Sequence, residues 1–229
     1  LWYDTPAVEW EEALPVGNSH LGGMVYGGTD TEIIQLNEET FWSGSPHDNN
    51  SSESLEVLPK VRRLIFEGRE REAAGLIDKH FVKGPHGMRY LPVGNIRLSF
   101  GHNQVQDYER ALNLGDATAT TSYIYKGVKF RRTVFASLSD DVIVVRVEAD
   151  KKGSLSFELS FEGQLVSEKR VQDGSLIACV KNVEQEGIQG TLTAECRTHI
   201  FTDGQIEEGS ENLKVENATT ATLYIVAAT

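Results

Sequence analysis

A chain of 229 residues, 39% hydrophobic and 24% charged, has the composition of an ordinary globular protein and enough apolar material for a continuous core. Its formal net charge of -12 excludes nucleic acid and anionic membrane surfaces as partners, because binding them relies on Lys and Arg replacing counterions. A neutral substrate such as a sugar is compatible with that charge.

In chain order, the first structural signal is a hairpin. Leu21 to Tyr26 and Ile33 to Leu36 are β-forming runs that flank the turn residues Gly27-Gly28-Thr29-Asp30. The rhythm then breaks. Leu55, Leu58, Val61, Leu64 and Ile65 recur at helical spacing, with serines and Glu53 before them and Gly68 after as a stop signal. A second short helix is predicted from Glu70 to His80, so residues 54–80 form a helical insertion. Sheet resumes with Tyr123-Ile124-Tyr125, Lys126-Gly127 and Val128-Lys129-Phe130, which read as a tight hairpin.

Val142 to Val147 is a nearly unbroken apolar run suited to the middle of a packed sheet. Leu155-Ser-Phe157-Glu-Leu159-Ser-Phe161 alternates without a fault, as a strand with one buried face should. Leu176 to Val180, Thr191 to Phe201 and Thr222 to Val226 supply further strands, with turns at Asp140-Asp141, Lys152-Gly153, Asp173-Gly174 and Asp203-Gly204. Strands at roughly 8–12-residue spacing predict a two-layer antiparallel β-sandwich in a single domain, residues 1–229.

Cys179 and Cys196 form no Cys-x-x-Cys pair, and both are expected as buried free thiols. The six histidines show no metal-binding spacing, and Gly22-Gly23 and Gly27-Gly28 lack the Lys-Ser/Thr of a phosphate loop. Neither metal nor cofactor is expected. No run is long and apolar enough to span a membrane. Leu1-Trp2-Tyr3-Asp4 is not a signal peptide, so a secreted or periplasmic parent would carry its signal upstream. Ala221 to Thr229 ends on a hydrophobic run, which reads as the edge of a piece of a longer protein.

Two amino-terminal stretches are specific. Trp2-Tyr3-Asp4-Thr5-Pro6-Ala7 through Glu9-Trp10-Glu11-Glu12-Ala13-Leu14-Pro15-Val16-Gly17-Asn18 leads into Leu21-Gly22-Gly23-Met24-Val25-Tyr26-Gly27-Gly28. Ile34-Gln35-Leu36-Asn37-Glu38-Glu39-Thr40-Phe41-Trp42-Ser43-Gly44-Ser45-Pro46 follows. This resembles the opening of glycoside hydrolase family 95, the bacterial α-L-fucosidases that include 1,2-α-L-fucosidases. Leu91-Pro92-Val93-Gly94, Tyr108-Glu109-Arg110-Ala111-Leu112, Phe135-Ala136-Ser137 and Val142 to Arg146 fit the same pattern in order. Ser19-His20 and Phe41 are small departures.

The resemblance implies a super-sandwich of the galactose-mutarotase type at the amino end of a multidomain enzyme that acts on fucosylated oligosaccharides. It also implies a helical (α/α)6 barrel that packs against the sandwich and holds the catalytic groups. Those are a glutamic acid as general acid and an asparagine made basic by an aspartate, inverting the fucosyl centre. None of these positions lies within residues 1–229, so the catalytic residues are expected beyond Thr229.

Within the chain, Trp42-Ser43-Gly44-Ser45-Pro46-His47-Asp48 offers a flat aromatic face beside polar edges, the combination a sugar site uses. Trp42, His47 and Asp48, with Asn18 and His20 in a neighbouring motif, are therefore candidates for a substrate rim. The plainer alternatives are that Trp42 packs in the core or against the barrel, and that Asn18-Ser19-His20 and Gly84-Pro85-His86-Gly87 are turns. Glu38 and Glu39 point to opposite faces of an extended segment and serve as solvated surface or backbone caps. Two further readings stand beside the scaffold. One is a free-standing carbohydrate-binding module. The other is a mutarotase-like enzyme, which needs a histidine and a carboxylate converging in a cleft.

Overall fold

The computed structural model describes residues 1–81, 84 and 87–229. The chain divides into two compact units. One comprises residues 1–41, 91–181 and 193–229, the other residues 42–90 and 182–192.

The larger unit has one short 3-10 turn at Trp10–Glu12 and is otherwise built of strands. In chain order these are β1 (Trp2–Tyr3), β2 (Leu14–Gly17), β3 (Leu21–Val25), β4 (Thr31–Glu38), β5 (Gly94–Ser99), β6 (Gln106–Asn113), β7 (Thr118–Tyr125) and β8 (Val128–Ser137). Then follow β9 (Val142–Ala149), β10 (Leu155–Glu162), β11 (Val166–Gln172), β12 (Ser175–Lys181), β13 (Thr193–Thr202), β14 (Gln205–Glu208), β15 (Leu213–Ala218) and β16 (Thr220–Ala228). They form a nine-stranded sheet, β1-β6-β7-β8-β9-β16-β13-β12-β11, and a seven-stranded sheet, β14-β15-β10-β5-β4-β3-β2. The ladders between these strands are antiparallel. The two-layer sandwich read from the sequence is what the chain builds.

Alternation explains the layering. Leu155, Phe157, Leu159 and Phe161 of β10 are buried, as are Ile143, Val145 and Val147 of β9 and Ala221, Leu223 and Ile225 of β16. Each fully buried Leu, Ile or Phe contributes roughly 1.5–3 kcal/mol. Two-residue turns at Lys126-Gly127 and Asp173-Gly174 have positive φ at both positions. Those mirror-image turns match the twist of the strands they join.

The smaller unit holds α1 (Ser54–Phe66) and α2 (Glu70–His80). Val61, Leu64 and Ala73 form its buried centre, with Val57, Leu76, Ile77 and Phe81 packed around them. Gly68, at φ +72, closes α1. Its N–H donates to the Ile65 carbonyl, and the Arg69 N–H donates to the Leu64 carbonyl, the Schellman pattern that favours glycine. The apolar spacing over-extends the buried face, because Leu55 and Ile65 stand exposed.

Both cysteines are free. Cys196 faces the core, whereas Cys179, expected to be buried, is only half-buried on the opposite face of the sheet. No helix among the described residues is long and apolar enough to cross a membrane.

Candidate functional site

The sequence candidates fall into both units. Asn18 and His20 belong to the sandwich. Asn18 is buried, and its amide holds the turn into β3. Nδ2 donates to the Ser137 carbonyl at 2.7 Å, and Oδ1 accepts from the Leu21 and His20 N–H groups at 2.8 and 3.2 Å. His20 is half-exposed, with Nδ1 2.7 Å from a Glu39 carboxylate oxygen.

Trp42, His47 and Asp48 belong to the smaller unit. Trp42 lies outside any core at 44% exposure. It bridges to Tyr90 as an isolated β-pair, the ring centroids 4.9 Å apart. The surrounding loops are tied together, since Asn182 Nδ2 donates to the carbonyls of Trp42 and Gly44 at 2.8 and 2.7 Å. The His47 Nδ1 lies 2.9 Å from the Ser45 carbonyl, while its buried Nε2 has no hydrogen-bond partner among the described residues. Asp48 is exposed and accepts from the Asn50 N–H at 2.8 Å, ordinary turn chemistry. Pro85 and His86 of the further loop lie outside the described residues.

The structure adds a cleft of about 470 Å³ at one end of the sandwich. Leu21, Val226, Ala227 and Ala228 give it an aliphatic lining, and His20, Glu38, Asp140, Asp141, Glu195 and Arg197 give it a polar one. Chain logic places them. Glu38 ends β4, Asp140 and Asp141 form the β8–β9 turn, and Glu195 and Arg197 alternate outward along β13. Sequence reading had Asp140-Asp141 as a turn and Thr191 to Phe201 as a strand, yet nothing local says that the two meet.

Three of the four carboxylates that line the cleft are closely engaged, and the fourth, Asp141, lies 3.5 Å from the Asn18 amide nitrogen. Glu38 accepts from the Thr40 N–H at 2.9 Å and from its hydroxyl, so the backbone-cap reading holds for it. Asp140 accepts from the Ser137 and Ser139 hydroxyls at 2.6 and 3.0 Å, which lowers its pKa. The Arg197 guanidinium, donating from Nε at 2.5 Å, holds Glu195 below the usual carboxylate range, and Arg170 adds to this. No cluster of His, Cys, Asp and Glu suited to a metal is found among the described residues.

A second polar cluster is buried between the sheets. Glu32 and Arg132 are almost fully enclosed, and the guanidinium donates to the carboxylate. Glu32 Oε1 also accepts from the Tyr26 and Gly27 N–H groups at 3.0 and 2.9 Å. Burial pushes the Glu32 pKa up, while Arg132 and these amides pull against it. Arg132 reaches on to the Gly28 carbonyl, and Tyr108 donates to the Gly27 carbonyl. This cluster locks the β3–β4 turn to the opposite sheet.

A two-layer antiparallel β-sandwich with a polar-rimmed cleft is the class these features define. The family described as "Glycosyl hydrolase family 65, N-terminal domain" matches residues 1–229, and the chain belongs to that family. It is 37% identical over 169 residues to "Alpha-L-fucosidase 2" of Arabidopsis thaliana, covering 72% of this chain and 20% of that protein. It is 25% identical over 243 residues to "Probable alpha-fucosidase A" of Aspergillus oryzae, covering 99% of this chain and 32% of that one. The namesake from Aspergillus niger is 27% identical over 179 residues, with 73% and 22% covered. The chain thus spans about a fifth to a third of the length of these relatives.

Proposed function

We propose that this chain is the non-catalytic amino-terminal scaffold of an α-L-fucosidase-type glycoside hydrolase of the family 95 kind, from a bacterial source. In this reading the parent hydrolyses terminal fucosyl linkages with inversion, through groups on a helical barrel that packs against the sandwich. The parent is secreted or periplasmic. The observation that carries the proposal is the 37% identity to a protein named as an α-L-fucosidase, of which this chain matches only a fifth.

The cleft supports a non-catalytic role. Glycoside hydrolysis needs two carboxyl groups, or an equivalent pair, facing each other across the scissile bond. Here Glu38, Glu39, Asp140 and Glu195 are each engaged by Thr40, His20, serine hydroxyls or Arg197. A mutarotase needs its histidine and carboxylate on separate substrate atoms. His20 lines the cleft, but the carboxylate it meets is Glu39, which is not among the lining residues, and the two contact each other at 2.7 Å, which leaves no room for a sugar between them.

The test compares two proteins on 2′-fucosyllactose, the 229-residue chain and the longer product of the gene that encodes it. Fucose release by the longer protein and none by the chain is the expected outcome. Turnover by the chain alone contradicts the proposal.

A further inference from the structure

The outer face of the nine-stranded sheet carries a pattern that a scaffold role does not absorb. Along β13 the outward residues are Glu195, Arg197, His199 and Phe201. Along β16 their cross-strand neighbours are Ala228, Val226, Tyr224 and Thr222. The strands therefore present four rungs in a row, Glu195–Ala228, Arg197–Val226, His199–Tyr224 and Phe201–Thr222. Same-face residues on a strand lie about 6.8 Å apart, so the row is about 20 Å long. The first two rungs line the cleft already described. The last two are aromatic and open, with Phe201 at 60% and Tyr224 at 41% exposure.

These rings are held in place. His199 packs edge-on to Phe201 with centroids 4.8 Å apart, and Phe201 packs edge-on to Tyr224 at 5.7 Å. His199 Nδ1 lies 3.0 Å from the Ser175 hydroxyl. At the cleft end, Arg197 is fixed by Glu195, which Arg170 also contacts. Exposed aromatic surface of this kind is unusual on a sheet face turned to water.

From this juxtaposition we infer that the cleft and the adjoining Tyr224–Phe201 strip form a binding track for a short neutral glycan. Rings of fixed orientation offer apolar faces to the C–H edges of a pyranose. The cleft, with its aliphatic lining, holds a terminal sugar unit, and its volume falls in the range of small-ligand sites. Arg197 donates to sugar hydroxyls, and the carboxylates of Glu38 and Asp140 accept from them. A glycan bearing acid groups is disfavoured, because the chain's net charge is -12 and acidic groups outnumber basic ones around the cleft. The choice of a glycan rests on the hydrolase reading above.

The experiment is a titration of the 229-residue chain with 2′-fucosyllactose, and with lactose in parallel, followed by amide and arginine Nε–Hε chemical shifts. Saturable shifts are expected at residues 197–201 and 222–228 and at the Arg197 side chain. Tyr224→Ala is expected to weaken binding about fivefold or more, the scale of one lost apolar ring contact. Phe201→Ala, at the more exposed position, serves if Tyr224→Ala fails to fold, and should weaken binding in the same direction. The absence of saturable shifts overturns the track, as does binding that both variants leave unchanged. Self-association through this strip, lost in the Tyr224→Ala protein without any glycan response, assigns the face to a second copy and also overturns it. Since the readout is binding without hydrolysis, failure here leaves the fucosidase proposal to its own assay.

Discussion

At the scale of single residues, period-two alternation places charge where charge is expensive. Glu32, Ile34, Leu36 and Glu38 share the inward face of β4, so two carboxylates are drawn toward the core with two aliphatic side chains. Arg132 sits on the inward face of β8 between Phe130 and Val134 and meets Glu32 there. Removing one member of such a pair leaves an uncompensated buried charge. Glu32→Ala should therefore lower unfolding stability by roughly 3–5 kcal/mol, read as a fall in urea midpoint with an unchanged slope. His102 gives a pH signature. It is buried against Tyr123, Tyr125 and Phe130, and burial with Arg132 and Lys126 nearby brings its pKa down to about 4. The unfolded histidine titrates near 6.5. Between those values the unfolded chain binds a proton that the folded chain refuses, so stability falls as pH drops from about 6.5 to about 4. The loss approaches about 3 kcal/mol at the acid end. His102→Gln should remove that part of the slope, measured as the difference between urea midpoints at pH 7 and pH 4.5.

At the scale of elements, what was legible followed from local pattern. The alternation in β10, the apolar run of β9 and the Gly68 stop each decide a structure within a few residues. The second helix spans Glu70–His80, as its apolar spacing predicts. Strands β6, β11 and β15 were not readable. β11 reads Val-Ser-Glu-Lys-Arg-Val-Gln and sits at a sheet edge, where no buried face imposes alternation. The tie between residues 42–45 and 182–192 was also invisible, because the groups that make it, the Asn182 amide, the Val183 carbonyl and the Gln185 side chain, lie about 140 positions away. Asn182→Ala removes donors to Trp42 and Gly44 and the acceptor for the Leu192 N–H. Amide exchange of residues 42–45 should accelerate about tenfold or more, while the sandwich strands keep their protection. Gly94 belongs to a different class. A Cβ there would meet the Phe161 ring at 2.5 Å and the Glu162 carbonyl at 2.8 Å. Gly94→Ala should cost about 1–3 kcal/mol by overpacking, measurable as a lowered melting temperature.

At the scale of the whole molecule, the site was harder to read than the fold. Trp42 was singled out for its sequence company, and the structure does leave its ring at the surface. Asn18 was singled out beside it, but its amide is engaged in the turn into β3. The cleft draws on Glu38, Asp140 and Glu195, which lie far apart in sequence, so no motif could announce it. Leu55 at 77% and Phe66 at 88% exposure stand open on α1 of the smaller unit, and the relatives are three to five times longer than the matched region.

The most direct test of the account follows the anomeric proton of released fucose by NMR, with 2′-fucosyllactose as substrate. The account predicts that the longer gene product releases β-fucose first and that the 229-residue chain releases none. Turnover by the chain alone, or a longer product that leaves the fucosyl bond intact, would contradict it.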